Sequence, residues 1–476
     1  MDPCKMEQFV LQNLGKVPKE VVDIIVQTST SLDNIVSAPL RFRQPVNVLW
    51  AEASYKDNVG IAGDALHPMI PDIRLGGCAA LEDGVILEKD RFQVTTDVDE
   101  DLVIDLKEYR TFVAKGCQAL DAIGIGDTLR QHHQQLKGIV VSSTVSGLPA
   151  SHMSFERKGK HGNHEIRCLR RKELLETLAK ELLPGTIQFG AKVVSIDEAN
   201  YFKLVHLADG SILKTKVLIG CDGINSVVGK WLGIPKPSVT GRVAIRGMAE
   251  IPDGHSFKET FLQFVGDGFR SGFIPCDQNT MYWFFTYTPS AQHKDTVDEE
   301  DPSKMKQFVL QNLGKVPKEI VDVVEQTGLD SIISAPLKFR QPLTLLWPGA
   351  SYKDNVVVAG DALHPMTPDI GQGGCAALED GVILARHLSQ VFSRKVTEEI
   401  SNEKEEYSRI KKSIKKFADE RKWRSFELIA TAYMVGMIQQ SSGKFINLFR
   451  DKILASYLAG LFLKTADFDC GKITSS

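Results

Sequence analysis

In NVVVAGDALHPMTPDIGQGGCAALEDGVILAR, residues 355–386, Asp361, two prolines and four glycines lie between an apolar run and a helical pattern. Asp361 is placed to accept hydrogen bonds from polyol hydroxyls. The backbone N–H groups of Gly371, Gly373 and Gly374 at the helix start can hold a planar, partly anionic ligand edge. A tight strand-to-helix crossing needs no ligand, but four glycines and two prolines exceed what capping requires. In a second turn, VLIGCDGINSVVGKWLG, Asp222 and Gly223 follow the apolar strand 217–220 and precede a helix whose first turn includes Asn225 and Ser226. That order suits a dinucleotide, with an acid for sugar hydroxyls, a glycine for close backbone approach and a helix N-terminus for phosphate. Asp-Gly after a strand is also an ordinary turn, so both readings stand for this motif alone.

The elements that must position these turns alternate along the chain. The spacing predicts a helical region at 120–136, strands in GIVVSSTVSG and SHMSFERKG, and a helix in RKELLETLAKELLPG striped by Leu174, Leu175, Leu178 and Leu182. Strand pairs follow in TIQFGAKVVSIDEA and YFKLVHLADGSILKTKVLIG, the latter folded at Asp209-Gly210. Residues 242–288 read as a mainly antiparallel sheet, residues 305–326 as one helix, and the chain from Ala376 as helical. Trp283, Phe284 and Phe285 project to alternate faces and suit either a core or a substrate pocket. Interleaving of this kind implies an α/β domain with a parallel sheet, carrying an inserted, mostly antiparallel β domain.

Residues 2–87 repeat as 301–384, with about three quarters of positions identical and one short insertion. One long copied segment is a partial domain duplication rather than a stacked array. GDALHPMIPDIRLGGC, residues 63–78, is the counterpart of GDALHPMTPDIGQGGC, residues 360–375, but Arg74 and Leu75 stand where Gly371 and Gln372 stand in the second copy.

The 476 residues allow two or three domains, and 43% hydrophobic with 25% charged residues is globular composition. The 57 basic and 60 acidic residues intermix to a formal charge of -3, which excludes a nucleic-acid-binding face. Eight scattered cysteines without a Cys-x-x-Cys pair read as reduced thiols and give no metal site. The start, MDPCKMEQFVLQNLGK, has neither signal nor transit character, so the expected location is intracellular, cytoplasmic by default. No apolar stretch reaches the roughly 20 residues of a membrane span. The tail from Arg424 carries Lys444, Arg450, Lys452 and Lys464 among apolar runs, which suits helix packing or peripheral membrane contact.

The two turns resemble the DG motif (Cys221-Asp222-Gly223) and GD motif (Gly360-Asp361) of single-component, FAD-dependent aromatic-ring monooxygenases. Residues from about 120 to 470 are similar to plant members related to zeaxanthin epoxidase and salicylate-hydroxylase-like enzymes. The resemblance implies a Rossmann-like FAD-binding domain, an inserted antiparallel substrate domain and a helical C-terminus. The implied boundaries are 1–94 for the duplicated segment and junction, 95–237 with 340–400 for the FAD domain, 238–339 for the substrate domain and 401–476 for the helical end. It further implies that Asp361, beside Gly360, binds the ribityl chain of FAD and that Pro365 lies by the isoalloxazine ring. Gly371, Gly373 and Gly374 would face the pyrimidine edge, and Asp222 and Gly223 would contact FAD and serve NAD(P)H. Arg171 matches a family arginine that begins a helix of the FAD domain, and it also reads as a solvated charge beside Arg170 and Lys172. His364 is either a flavin neighbour or a turn residue. The implied reaction reduces FAD with NAD(P)H and hydroxylates or epoxidises a small aromatic or isoprenoid substrate with O2 through a flavin C4a-hydroperoxide. Such chemistry needs no catalytic side chain.

The family's opening Gly-x-Gly-x-x-Gly is missing, and the first copy stands where that unit would be. Its strand, turn, helix and possible second strand have the order a βαβ unit needs, so docking beside the parallel sheet is one arrangement open to it, as a poor phosphate cradle. The alternative function is a noncatalytic product of tandem monooxygenase genes that binds FAD weakly or not at all.

Overall fold

Val217–Gly220 has no polar alternation, a pattern that forms a strand only where both faces are covered, and all four residues are buried. It lies inside a sheet ordered Tyr352–Lys353, Val356–Val358, Val217–Gly220, Val59–Gly63, Phe92–Thr96 and Ile187–Gln188, in which the Tyr352–Lys353 edge alone runs antiparallel. Side chains alternate between faces. Val217, Ile219 and Val357 pack with Leu378, Ile383 and Leu174, while Leu218, Val356 and Val358 pack with Val205, Leu207 and Val228. The second group belongs partly to a three-stranded antiparallel sheet over 193–215, folded at Gly210.

This computed structural model describes, with short breaks, residues 118–289, 301–392, 402–440 and 465–471, together with the strands Val59–Gly63, Phe92–Thr96 and Thr111–Lys115. The chain divides into units 1–55 and 56–476, and the first lies outside the described residues.

The strand of the first copy enters the parallel sheet. Ile61 stands opposite Ile219 on one side and Val94 on the other. The strand thus takes the docked arrangement, one of those open to this segment, and the acid-rich junction supplies a parallel partner at Phe92–Thr96. The turn after Gly63 and residues up to 91 lie outside the described residues.

The second sheet has seven strands in the order Ile333–Phe339, Ser238–Glu250, Thr280–Tyr287, Phe269–Pro275, Thr260–Val265, Gly138–Ser143 and Pro149–Ser154. It is antiparallel except where Thr260–Val265 meets Gly138–Ser143. The sheet thus reaches beyond the expected span of 238–339, because that parallel pairing is long-range and leaves no local trace in the sequence. The single helix expected at 305–326 is two, Pro302–Asn312 and Lys318–Gln326, since Gly314 at φ 69° and Pro317 break it. Both helices cover one face of the sheet, where Met305, Phe308, Val309, Ile320 and Val323 pack on Ile245, Phe273, Trp283 and Phe285.

On that face Trp283 is fully buried and donates from Nε1 to Thr327 Oγ1 at 2.8 Å. Gly247 lies opposite it, and a Cβ there would fall 2.4 Å from the indole. The substitution Gly247→Ala is expected to lower stability by about 1–3 kcal/mol through overpacking, read as a lower urea midpoint of the purified chain.

Candidate functional site

Val356–Val358 leaves the sheet into Gly360, whose φ of 57° lies in the left-handed region that favours glycine. The tight turn Gly360–Ala362 that follows is fixed from beneath by Asp380, on the glycine-led helix Gly373–Phe392. Fully buried, Asp380 accepts from Gly360 N and His364 Nε2, each at 2.8 Å, and from the guanidinium of Arg421 on the long helix Glu403–Gln439. Arg421 also donates to Glu379 at 2.9 Å and to the Ala376 carbonyl at 3.1 Å, and Arg424 donates to Glu379 at 2.9 Å and the Thr465 carbonyl at 2.7 Å. Two carboxylates thus meet two guanidiniums in a dry interior, each charge compensated. Burial by itself raises the Asp380 pKa, but Arg421 and His364 outweigh it and hold the carboxyl below its ordinary value.

Arg340 grips the same turn from another side. Its backbone N–H donates to the Pro365 carbonyl and its Nε to the Leu363 carbonyl, both at 2.9 Å, and Nη2 donates to the Ala362 carbonyl at 3.1 Å. Burial lowers its pKa to about 10, with the Asp361 carboxylate opposing that shift. Asp361 and Arg340 are thereby coupled electrostatically within a turn whose own carbonyls are occupied.

A second tight turn, Pro368–Ile370, ends at Gly371 with φ 59°, and the glycine-led helix begins at Gly373. Beside Gly373 there is room, since a Cβ would find Met366 Cγ at 3.9 Å. Between the two glycines, Gln372 is 1% exposed, and among the described residues neither its Oε1 nor its Nε2 meets a hydrogen-bond partner. A buried primary amide unmatched at both ends is costly unless something else fills it.

Asp369, in the same turn, reaches the seven-stranded sheet. Arg242 donates to its two carboxylate oxygens at 3.1 and 2.6 Å, and Arg270 lies 3.2 Å from Oδ1. All three side chains are buried, so two guanidiniums share one carboxylate and, among the described residues, a net positive charge remains. Gly436 of the long helix permits this approach, because a Cβ there would sit 2.2 Å from Asp369 Oδ2. Arg270 lies over the ring of Phe284, 4.9 Å from its centroid, on the sheet face opposite Trp283 and Phe285. The aromatic triple therefore divides: Trp283 and Phe285 are core, and Phe284 faces the turn side.

At the other turn, Gly223 has φ 71° and Asp222 is buried. Asp222 spends its oxygens locally, accepting from Ser226 Oγ and, at 3.1 Å, from Val228 N. Burial pushes its carboxyl up despite those bonds. In this arrangement it braces the turn and the helix Val227–Trp231. Arg171 opens the helix Arg171–Lys180 and is buried at 8% exposure, so it is not a solvated charge like its neighbour Lys172.

The structure brings Gly360, Asp361, Pro365, Gly371, Gly373 and Gly374 together in one strand–turn–helix passage held by Asp380 and Arg340, while Asp222 and Gly223 close the adjacent strand. Reading the sequence missed Asp380, Arg340, Arg421, Asp369, Arg242, Arg270 and Gln372. The repeated CAALEDG string did mark Glu379 and Asp380, but their partners lie far along the chain.

No family profile matches the chain. It is 53% identical over 361 residues to the protein named Monooxygenase 2 of Arabidopsis thaliana, covering 75% of this chain and 86% of that one. With Monooxygenase 1 of the same plant it shares 32% over 366 residues, 76% of this chain and 88% of the other. Among solved structures it resembles Klebsiella pneumoniae HpxO, crystallised with FAD and uric acid, at a TM-score of 0.68 and 20% identity, over 87% of this chain and 97% of that one.

Breaking the buried network from one side is expected to be severe. Arg421→Met leaves Asp380 and Glu379 short of a cation and should cost about 3–5 kcal/mol in urea denaturation. Because the folded pKa of Asp380 is depressed, its contribution is full above the ordinary carboxylate range near pH 4 and is lost as pH falls through the folded value. The acid-limb loss of stability is therefore expected to be shallower in Asp380→Asn, measured as urea midpoints from neutral pH downward.

Proposed function

The chain belongs to the FAD-dependent monooxygenase family, and we propose that it uses FAD, with NAD(P)H as reductant, to insert one atom of O2 into a small organic substrate. The observation that carries this reading is the passage from Gly360 to Gly374, immobilised through its backbone and left with an unmatched amide at Gln372. A flavin pyrimidine edge presents one N–H between two carbonyl oxygens, and so offers both an acceptor and a donor to such an amide. Gly371 to Gly374 would add backbone N–H donors, Asp361 would take ribityl hydroxyls, and Pro365 would flank the ring. Arg171 and the turn at Asp222 and Gly223 are assigned to the rest of the cofactor and to NAD(P)H. Bound there, FAD would supply the redox chemistry, while the protein orients the ring and excludes water.

Substrate recognition is assigned to the sheet face that meets this passage. Among the described residues, Arg242, Arg270 and Asp369 leave one positive charge uncompensated, and Arg270 Nε, Gln263 Nε2 and Gln440 Nε2 are buried without hydrogen-bond partners. That chemistry suits an aromatic substrate with an acidic or amide edge better than an isoprenoid one. For the domain division we propose a Rossmann-like FAD domain over 95–237 and 340–400 that takes in the strands Val59–Gly63 and Phe92–Thr96 and yields Gly138–Ser143 and Pro149–Ser154 to the substrate sheet.

A second reading has its own observation. Val59–Gly63 holds a central place in the parallel sheet, yet the residues after it are Asp-Ala-Leu-His-Pro rather than a glycine fingerprint. Losing diphosphate contacts worth about 1.5–3 kcal/mol each weakens FAD by orders of magnitude, leaving a protein that binds it poorly and does no oxidation.

Fluorescence titration of the purified chain with FAD and with FMN separates these cases. The monooxygenase reading expects both flavins to bind, FAD exceeding FMN by no more than about tenfold since the shared ring half provides the contacts, with Asp361→Ala weakening both. Protein that stays colourless at saturating flavin would leave the noncatalytic reading. For substrate, Arg270→Met is expected to raise KM for an acidic aromatic substrate at least tenfold, measured as NAD(P)H consumption.

A further inference from the structure

Two thiols distant in sequence meet inside the protein. Cys168, on the strand Ile166–Arg170, and Cys276, just past Phe269–Pro275 of the seven-stranded sheet, have their Sγ atoms 3.1 Å apart. Exposures are 0% and 1%, and Leu136, Ile139, Phe155 and Ile274 are among the apolar residues around them. The backbones on both sides are pinned. Arg170, two residues beyond Cys168, donates to Asp277 at 2.7 Å and to Thr280 Oγ1 at 2.8 Å, and Cys276 N donates to the Thr280 carbonyl at 2.9 Å. A disulfide, at about 2.05 Å between sulfurs, needs these atoms to close by only about 1 Å.

We propose that Cys168 and Cys276 form a redox-modification site whose oxidant is a small peroxide and whose product is an internal disulfide. One thiol gives up its proton and attacks a peroxide oxygen. The O–O bond breaks, leaving a sulfenic acid and one water. The second sulfur attacks the sulfenic sulfur, the S–S bond forms as the S–O bond breaks, and a second water leaves with the remaining proton. Two cysteines thereby lose two electrons and two protons, and one hydrogen peroxide becomes two waters. Hydrogen peroxide is small enough to reach a buried pair on local opening, whereas a bulky thiol reductant is excluded from it, so the disulfide persists once made. Its effect is mechanical: the strand that leads into Arg171 becomes covalently tied to the sheet that carries Arg270. The site does not depend on flavin being bound.

The test uses the full-length chain, purified reduced, exposed to graded hydrogen peroxide, then denatured in an alkylating agent and mapped by mass spectrometry. The expected result is a peptide joining Cys168 to Cys276, two fewer alkylated cysteines, reversal by dithiothreitol after denaturation, and an upward shift of the unfolding midpoint before it. Cys168→Ser is expected to abolish the cross-link while leaving circular dichroism unchanged. The proposal is overturned if both cysteines stay fully alkylatable, if they advance to sulfinic acid without cross-linking, or if other cysteine pairs link equally fast. The wild-type map decides even if the serine variant fails to fold.

Discussion

Asp380 holds three elements with two oxygens. The turn at Gly360, the imidazole of His364 and the long helix through Arg421 all converge on a carboxylate with no access to water. An isolated charge there would be prohibitively costly, and an isolated Arg421 equally so. The four charges of Glu379, Asp380, Arg421 and Arg424 are therefore stable only as a set, which fixes the long helix against the glycine-led one more sharply than the packing of Leu428 and Ala432 on Ile370 and Ala376 would alone. A left-handed glycine at the entrance of the turn then becomes a fixed geometry rather than a hinge.

The same dependence separates the two copies of the duplicated segment at the level of sequence. The first copy repeats the acids as Glu82 and Asp83, but the arginines that neutralise them in the second copy lie at 421 and 424, beyond the copied region. A strand travels easily, since Val59–Gly63 needs only a free edge on Val217–Gly220 and apolar surroundings to pair. A buried charge cluster is copied only with all its members, and the duplicated segment includes the two acids but neither arginine. In sequence, the copied glycine pattern also carries Arg74 and Leu75 where the second copy has the left-handed Gly371 and the amide of Gln372.

What the sequence disclosed follows from the range of the forces involved. Local signals were sound: the apolar strand 217–220, the leucine stripe of Arg171–Lys180, the hairpin at Gly210 and the glycine-rich passage after Val358 all stand where periodicity and turn chemistry put them. The repeat even disclosed a strand able to enter the parallel sheet. Long-range pairing was invisible, as the strands 138–154 joining the seven-stranded sheet show, and so was the break at Gly314 and Pro317, where apolar periodicity continued across it. Every ionic partner of the turn escaped notice, because Arg340, Arg421 and Arg242 lie tens of residues away and an arginine in a helix or strand looks solvated until its burial is known.

The passage from Gly360 to Gly374 has opposite electrostatic characters at its two ends. Beneath Gly360 the charges balance and both oxygens of Asp380 are matched, which is the signature of a structural network. Around Asp369 they do not balance among the described residues, and polar atoms of Gln372, Arg270, Gln263 and Gln440 unmatched within that set accompany the surplus. Native proteins leave few such groups, and where they gather the missing partner is usually a ligand or water. A single residue separates Asp369, bound to the sheet arginines, from Gly371, which ends the turn just before the glycine-led helix begins at Gly373. A cofactor matched to Gln372 and a substrate matched to Arg270 would therefore press on the two ends of one short turn, so that seating either would alter the charge and position of the groups that receive the other.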